Sequence, residues 1–456
     1  MSCDNVDQLV RNTDDLVGSF RDADYDYSMY EFPDEYTNWI REQNALQQSC
    51  TIVDQSYHMS PVYLEGPDAI ELLSDLGTNN FENIRNDPPP IAKNVVFCNP
   101  DGYMIRDVVL FYVDEETFIS TGTEIPTNWL IYNLEAGEYD ASAEVPYRPG
   151  SGVDPREFRF QVQGPYAYEV MDDVVDGGLP EFSFFEVKEL TINDVEVYAL
   201  GFGMGEAPGL ELFGAYEYHD EIEREIVDSG REYDIMQMGS KAYKTNKISS
   251  GWIHQPVPAI YTGDAMEPYR RWLDTDGPEG KMSIGGSYVA ESIQEYYMDP
   301  IECGQGHLIS FNHDFVGKSA LERKVTRESR TRVTFEWDDE DVVNVYRSLF
   351  DDGPNYKYID LPDTARRWSL THYDRVERDG SVVGISKYPG YLSYENEMLS
   401  LGVIDEEYSE PGTEVALIWG EENSRKEKVE PHVEKEITAV VMPSPYTTAD
   451  RDYKRS

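Results

Sequence analysis

The alternation of apolar and polar positions predicts a β-hairpin near residue 100 of this 456-residue chain. Apolar runs at 95–97 and 108–112 flank the turn sequence Asn-Pro-Asp-Gly at 99–102. Proline presets φ for the second position of a turn and glycine accepts a positive φ, so the two runs are expected to pair as buried strands. Arg106 and Asp107 interrupt the second strand. Because neighbours on a strand point to opposite faces, at most one of them faces a given cavity.

These two charges have two interpretations. A charge inside so apolar a strand is costly unless it is paired or used on a ligand. The pair therefore indicates either residues that face a bound molecule or charges at the rim of the hairpin, as a salt bridge or a solvated strand end.

A second pattern occurs twice, about a hundred residues apart. An apolar strand, the sequence Gly-Pro-X-Ala and a helix follow one another at 62–76 and again at 158–175. Proline suits the first turn of a helix, where its missing N–H costs nothing. The repetition predicts an internal duplication with α+β character. Further helices are predicted at 35–48 and 218–229, and further strands at 185–190 and 195–200.

The sequence pattern changes at about residue 331, where short segments of alternating apolar and polar residues are separated by turn residues. This pattern is typical of a separate, mostly β domain. The predicted organisation is an N-terminal arm at 1–35, an α+β core at 36–330, a β domain at 331–446 and a tail at 447–456.

Charge narrows the possible partners. The chain has 88 acidic and 38 basic residues, for a formal net charge of −50. Such a charge excludes nucleic acid and anionic membrane surfaces as natural partners. Because the acid is spread along the chain, it is interpreted as a solvated coat, typical of halophilic proteins in a high-salt cytoplasm. No apolar run approaches the ~20 residues of a membrane span, and no basic, apolar signal region begins the chain.

Metal chemistry is not expected. The four cysteines and seven histidines show no spacing typical of a disulfide framework or a zinc site. The sequence therefore predicts a protein with no metal site. Together with the absence of a membrane span and a signal region, it predicts a cytoplasmic location.

Six ordered motifs between residues 40 and 445 resemble the folate-dependent aminomethyltransferases, the group that contains the T-protein of glycine cleavage. The motifs are Asp54-Gln-Ser-Tyr-His-Met, Leu64-Glu-Gly-Pro-Asp-Ala, Gly102-Tyr-Met-Ile-Arg-Asp, Gly205-Glu-Ala-Pro-Gly-Leu-Glu, Pro300-Ile-Glu-Cys-Gly and Asp314-Phe-Val-Gly-Lys-Ser-Ala-Leu. The resemblance implies a duplicated α+β core with a C-terminal β-barrel around a central folate channel.

A narrower resemblance is to the tetrahydrofolate-dependent O-demethylases of methoxylated aromatic acids. It is carried by Tyr36-Thr-Asn-Trp, Glu42-Gln, Ser250-Gly-Trp-Ile, Ala259-Ile-Tyr-Thr-Gly, Tyr269-Arg-Arg-Trp-Leu, Lys387-Tyr-Pro-Gly-Tyr, Trp419-Gly-Glu and Val429-Glu-Pro-His-Val-Glu-Lys-Glu-Ile. The cofactor implied is tetrahydrofolate. Two departures stand out: Arg106 replaces the first of two adjacent acids in the T-protein pattern, and Thr123 replaces an arginine that can hold a substrate carboxylate in the demethylases.

The resemblance implies two folate-binding residues. A pterin presents a ring N–H and an exocyclic amine side by side, and a buried carboxylate is the complementary acceptor. By the family match that acceptor is Glu211; the alternative is a solvent-facing strand residue. Asp107 matches an acidic position beside the folate.

Catalytic candidates follow from the implied chemistry. Methyl transfer from an aryl ether is a displacement with a phenolate leaving group, which needs alignment and a donor or cation near the developing charge. The candidates are Tyr36, His58, Arg106 and Tyr243. A satisfied core histidine and packed tyrosines are the alternatives for His58 and for the two tyrosines.

Three functions are expected from these residues. The first is a methyltransferase that moves a methyl group from a small methoxy, methylamine or methylsulfonium compound to tetrahydrofolate. The second is an aminomethyltransferase of glycine cleavage that works with a lipoyl carrier protein. The third is a regulatory protein that binds folate without turnover.

Overall fold

The computed structural model describes residues 3–23, 32–114, 116–204, 207–327, 330–362 and 369–447. Residues 24–31 of the predicted arm, the first two residues of the Gly205-Glu-Ala-Pro-Gly-Leu-Glu motif (205–206) and the tail from 448 onward lie outside these ranges. Within them, no helix combines the length and the apolar composition needed to cross a bilayer.

The first helices pack against the core. Val6 and Phe20 are buried, and the buried carboxylate of Asp7 accepts from Arg11 at 2.7 Å and from Arg270 at 3.3 Å. The third helix begins at Trp39, a turn later than the predicted residue 35. The elements are α1 (Val6–Asn12), α2 (Leu16–Asp22), α3 (Trp39–Gln48) and strand β1 (Thr51–Asp54).

The first half of the core is a five-stranded antiparallel sheet in the order β3-β4-β5-β2-β6. The predicted hairpin is confirmed as β3 and β4, with Val95 opposite Val108. Its elements are β2 (Val62–Glu65), α4 (Ala69–Leu76), α5 (Glu82–Asn86), β3 (Ile91–Cys98), β4 (Met104–Asp114), β5 (Thr117–Thr121), α6 (Glu124–Ala136) and β6 (Ser142–Glu144).

The second half is a six-stranded sheet in the order β11-β1-β7-β10-β9-β8, in which only the β1–β11 pair is parallel among the described strands. Its elements are β7 (Glu157–Gln163), α7 (Ala167–Val174), β8 (Val187–Ile192), β9 (Val195–Gly201), β10 (Gly209–Ala215), α8 (His219–Gly230) and β11 (Met236–Gln237).

The two sheets pack face to face. Phe111 of the first sheet and Phe213 of the second lie 4.6 Å apart between ring centroids. The outer face of each sheet is covered by helices: Leu72 and Leu73 of α4 join one core, and Val170 and Met171 of α7 join the other. The predicted duplicated α+β core is confirmed.

Each Gly-Pro-X-Ala turn depends on its glycine. Gly66 has φ +128° and Gly164 has φ +135°, a region that favours glycine. A Cβ on Gly66 would lie 2.6 Å from the carbonyl oxygen of Asp140, and one on Gly164 would lie 2.5 Å from that of Ser49. The repeated sequence therefore produces the same strand-to-helix turn in both halves.

A connecting region leads to the C-terminal domain. Its elements are α9 (Ser240–Tyr243), α10 (Asn246–Ser250), α11 (Glu267–Trp272), β12 (Ile284–Gly285) and α12 (Lys318–Lys324). Residues 252–261, which the sequence shows as too proline-rich to be regular, contain no helix or strand. We call 252–257 the strap.

The predicted C-terminal β-barrel is confirmed as six strands that close in the order β13-β17-β16-β15-β18-β19 around a core that includes Trp337 and Trp419. Strand β16 is irregular between Lys387 and Gly390, and Tyr388 has φ +50° there. The elements are β13 (Arg330–Trp337), α13 (Asp339–Ser348), β14 (Thr371–His372), β15 (Asp374–Arg378), β16 (Ser381–Leu392), β17 (Glu397–Asp405), β18 (Glu414–Trp419) and β19 (Lys435–Met442).

Candidate functional site

The inner face of the second sheet is polar where it meets the first. Along β7, Phe160 and its apolar neighbours face the helices, whereas Arg159, Gln161 and Gln163 alternate with them and are also buried. Side chains two apart on a strand share a face. The sheet therefore presents a row of buried polar groups toward the centre of the molecule.

Glu211 lies in this row, on β10 directly opposite Gln161 of β7. Its Oε1 accepts from Arg159 at 2.5 Å, and Arg159 also contacts Glu157 at 3.2 Å. Burial alone would lower the pKa of Arg159, but the charges of Glu211 and Glu157 outweigh it and raise that pKa. The solvent-facing alternative for Glu211 is thus wrong. An ionised carboxylate has about four acceptor sites, so one arginine leaves room for a further donor pair.

Three buried amide atoms on β7 and at the end of β1 lack a partner among the described residues. They are Oε1 of Gln55, Oε1 of Gln161 and Nε2 of Gln163. The other amide atoms of Gln161 and Gln163 are used, in bonds to the backbone at 202 and 204. Buried polar atoms nearly always have a partner, either protein, water or ligand. Two acceptors and a donor next to a carboxylate fit the mixed donors and acceptors of a pterin ring.

Tyr243 and His58 form a buried hydrogen-bonded pair. The Tyr243 hydroxyl lies 3.2 Å from His58 Nε2 and accepts from Gln55 Nε2 at 3.1 Å. Strand β1 leads into Gln55 and His58, and α9 carries Tyr243, so two elements converge on one hydroxyl. The arrangement can supply a proton or a hydrogen bond to a leaving oxygen.

Tyr36 is the most exposed of the predicted site residues, with 39% of its surface accessible. Partial burial, followed by the charges of Glu223 and Asp54, raises its pKa to about 12. Asp54 also contacts His219 at 3.1 Å. Tyr36 thus keeps its proton at neutral pH, within reach of the charge of Asp54, the last residue of β1.

Arg106 and Asp107 lie on opposite faces of β4, as the strand geometry predicted. Asp107 shares its face with Val109 and Phe111, toward the second sheet, while Arg106 faces the core behind the first sheet with Val108. Both charged residues are buried. The rim salt bridge is therefore wrong.

The strap fixes both charges. Asp107 Oδ2 accepts from Trp252 Nε1 at 2.8 Å and from Gln305 Nε2 at 3.2 Å. Burial raises the pKa of Asp107 to about 6, although the Trp252 bond opposes the shift. Arg106 donates to the carbonyl oxygen of Pro256. Asp107 can therefore exchange a proton near neutral pH.

Thr123 lies at the start of α6, where its carbonyl oxygen accepts from the Thr127 hydroxyl at 3.3 Å. It carries no charge. A cation for a substrate carboxylate would therefore have to come from other residues.

Sequence reasoning missed several of these groups, chiefly Arg159, Gln55, Gln161 and Gln163. The alternation of polar and apolar residues in β7 was visible, but it is usually typical of a sheet with one solvated face. Only the second sheet that covers this face makes the polar residues buried, and that packing is not local in sequence.

Comparisons with known proteins identify the family. Residues 23–256 match the family model described as the GCVT N-terminal domain. The chain is 36% identical over 452 residues to syringate O-demethylase of Sphingobium sp. (strain NBRC 103272 / SYK-6), covering 98% of this chain and 97% of that protein. The chain belongs to the GCVT family.

Other relatives of this GCVT-family chain are more distant. It is 28% identical to sesamin methylene transferase of Sinomonas sp. (strain No.22), over 92% of this chain and 91% of that protein, and 24% identical to an aminomethyltransferase of Clostridium botulinum (strain Okra / Type B1), over 85% and 87%. The chain is a one-carbon transferase, and its family uses tetrahydrofolate.

The fold agrees with this membership. The structure of the glycine cleavage system aminomethyltransferase T from Bartonella henselae matches with a TM-score of 0.61 and 15% identity, covering 95% of this chain and 96% of that one. The predicted family and fold class are both confirmed.

Proposed function

We propose that this GCVT-family enzyme moves a methyl group from a small methoxy compound to tetrahydrofolate. The observation that carries the proposal is the row of buried groups around Glu211, which offers one carboxylate and three unpartnered amide atoms to a flat, polar ring. The relation to syringate O-demethylase favours a methoxy donor over a methylamine or methylsulfonium compound.

Each residue has a distinct role in this proposal. Glu211, held by Arg159, accepts hydrogen bonds from the pterin. The amide oxygens of Gln55 and Gln161, which have no partner among the described residues, complete the binding of the pterin. The bound tetrahydrofolate supplies a nucleophilic nitrogen. Tyr243 donates a hydrogen bond or a proton to the ether oxygen as its bond to the methyl carbon breaks.

The protons balance across the site. A secondary nitrogen that gains a methyl group must lose a proton, and the departing phenolate must gain one. Asp107, whose pKa of about 6 leaves it ionised at neutral pH, accepts the first proton. Tyr243 supplies the second and is reprotonated through His58, 3.2 Å away.

The experiment is a donor panel read by mass spectrometry of the folate pool. Purified protein is incubated with tetrahydrofolate and methoxy, methylamine, methylsulfonium or lipoyl-bound aminomethyl donors. We expect methylated folate with methoxy donors and at least 10²-fold slower formation in Tyr243→Phe. Consumption of the lipoyl-bound group alone would make this an aminomethyltransferase instead.

Folate binding is measured separately from turnover. We expect Glu211→Gln to weaken tetrahydrofolate at least tenfold, because the amide cannot accept both donors of the pterin. Tyr216→Phe is a matched control, since that hydroxyl bonds only Tyr57 among the described partners. Tight binding with no methylated folate from any donor would favour a regulatory protein.

A further inference from the structure

Four buried cations in the part of the chain that the structure describes pair with a carboxylate. Arg159 pairs with Glu211, Arg270 with Asp7, and both Lys357 and Lys426 with Glu421. This is the expected solution, because a buried charge without a counter-charge is costly. Two buried cations near the centre of the molecule depart from it.

The first is Arg106. Its Nη1 donates to the carbonyl oxygens of Ile105 and Pro256, and its buried Nε has no partner among the described residues. Its neighbour Asp107 points to the other face of β4 and bonds Trp252 instead. Burial lowers the pKa of Arg106, and the charge of Asp107 opposes that shift only in part.

The second is Lys387, on the irregular part of β16. It is fully buried, and its Nζ donates to Thr371 Oγ1 at 2.8 Å and to the carbonyl oxygen of His372 at 3.4 Å. The same nitrogen lies 3.5 Å from the ring centroid of Tyr373 and 5.1 Å from that of Tyr388. None of these partners carries a negative charge at neutral pH.

The two cations share their surroundings. The Pro256 carbonyl oxygen accepts from Arg106, and the next residue of the strap, Val257, donates its N–H to the Tyr373 hydroxyl at 2.8 Å. The Tyr373 ring in turn lies 3.5 Å from Lys387 Nζ. Lys247 lies 4.8 Å from the Tyr388 ring. In a chain with 50 more acidic than basic residues, three basic side chains thus lie around one pair of buried rings.

A wall of stacked rings leads from this point to Asp107. Tyr388 stacks on His254 at 5.6 Å with an interplanar angle of 8°, and His254 stacks on Trp252 at 4.4 Å. Trp252 in turn bonds Asp107. Such a wall suits a flat aromatic ring whose far end carries an anion.

We propose that Arg106 and Lys387 form a buried binding site for a carboxylate carried by one of the enzyme's two ligands. The inference rests on the proposed function, since those ligands are the methyl donor and the reduced folate. A methoxylated aromatic acid carries a carboxylate on its ring, and tetrahydrofolate carries carboxylates on its glutamate. The site also supplies the cation that Thr123 cannot.

Two pairs of probes distinguish these sources in the wild-type enzyme. Syringate is compared with its primary amide, and tetrahydrofolate with tetrahydropteroate, which lacks the glutamate. We expect at least tenfold weaker calorimetric binding for the member of one pair that lacks the carboxylate. Loss in the first pair assigns the site to the donor, and loss in the second assigns it to the folate. Equal affinities within both pairs overturn the proposal.

Lys387→Met tests the residue itself. We expect it to remove the discrimination between the two members of the responding pair while leaving the probe without the carboxylate unchanged. Lys281→Met, at an exposed lysine, is the control and should preserve the discrimination. A Lys387→Met enzyme that binds and discriminates as the wild type does overturns the assignment.

A wild-type measurement remains decisive if Lys387→Met does not fold. Burial lowers the pKa of Lys387, and a bound carboxylate opposes that shift because it stabilises the protonated amine. The dependence of binding enthalpy on buffer ionisation should therefore show greater proton uptake with the carboxylate-bearing probe than with its partner. Equal uptake within both pairs contradicts the site.

The outcomes separate this site from the proposed function. If the function fails, no donor yields methylated folate, although the carboxylate pairs can still differ in affinity. If only the carboxylate site fails, methyl transfer persists and the affinity difference within each pair disappears.

Discussion

The two halves of the core share a turn but differ in what their strands bury. Both use Gly-Pro-X-Ala to pass from strand to helix, with the glycine at φ +128° in one and +135° in the other. The strand before the first turn places Tyr63 on the inner face, against an apolar cluster. The strand before the second places Arg159, Gln161 and Gln163 there. The duplicated scaffold is therefore retained while the chemistry is concentrated on one copy.

The first half of the core places fewer polar residues on its inner face. Its inner face is apolar at Val109 and Phe111, and the charge at Asp107 comes at the end of the same row. One half thus supplies a single titrating carboxylate, whereas the other supplies a network of paired and unpartnered polar groups. Substitutions at matched positions can break or sharpen this contrast.

The largest expected effect is the loss of the second half's buried ion pair. Arg159→Met leaves Glu211 and Glu157 without their buried partner, so we expect the free energy of unfolding to fall by about 3–5 kcal/mol. Tyr63→Phe, at the matching face of the first half, removes a neutral hydroxyl rather than a charge and should change stability by only about 1 kcal/mol. Urea unfolding measures both; equal losses would show that the halves are energetically alike.

The next effect concerns Asp107. Because burial raises its pKa to about 6, the carboxylate is protonated below that pH and cannot accept a proton. Methyl-transfer rate should rise as pH increases through about 6 and then level off, and Asp107→Asn should lower it about 10²-fold and remove the rise. Glu211→Gln, in the other half, should weaken folate binding and leave the midpoint of the rate profile unchanged. A midpoint that survives in Asp107→Asn would assign the titration elsewhere.

The shared turn should respond equally in both halves. Gly66→Ala and Gly164→Ala each force a Cβ against a backbone carbonyl at a positive φ, and we expect each to cost about 1–3 kcal/mol. Gly150→Ala also has a positive φ, +75°, but no atom lies within 4 Å of the added Cβ. Its cost should stay near 1 kcal/mol. Thermal unfolding measures the stability of each variant. A loss in only one of Gly66→Ala and Gly164→Ala would contradict a common geometry for the two turns.

The smallest effect lies at the edge of the second half. His219 bonds Asp54 and Asp220, and although burial opposes the shift, these carboxylates raise its pKa to about 9. The histidine's contribution to stability is therefore fully present below its unfolded pKa of about 6.5 and is lost as pH rises through 9. We expect the free energy of unfolding to fall by about 1 kcal/mol over this pH range at low salt and by less at high salt. His219→Gln should show no such fall. Denaturant midpoints between pH 6 and pH 10 check this.

Local features of this chain were predictable because their causes are local. The turn sequence at 99–102 determines the hairpin, the glycines at 66 and 164 determine the two turns, and a two-residue period marks the barrel strands. Each depends on residues adjacent in sequence. The resemblance to folate-dependent transferases then predicted Glu211 and Asp107 as folate-binding residues.

The partners of the site residues were not predictable in the same way. Arg159 and Glu211 are 52 residues apart, and they meet because β7 and β10 are neighbours in the sheet. Asp107 meets Trp252 across 145 residues. The apolar run around Arg106 and Asp107 predicted neither the burial of both charges nor the strap that holds them. Long-range pairing depends on the order of strands in the sheet, which a local pattern does not encode.

The strap has a consequence for how this architecture can be divided. Trp252 reaches Asp107 in the core, while the backbone at 255 and 257 bonds the hydroxyls of Tyr388 and Tyr373 beside the barrel. A truncation after residue 256, where the family match ends, would sever this link between the two. The barrel is accordingly not an exchangeable appendage, because Tyr373 and Tyr388 hold the strap that in turn holds Asp107.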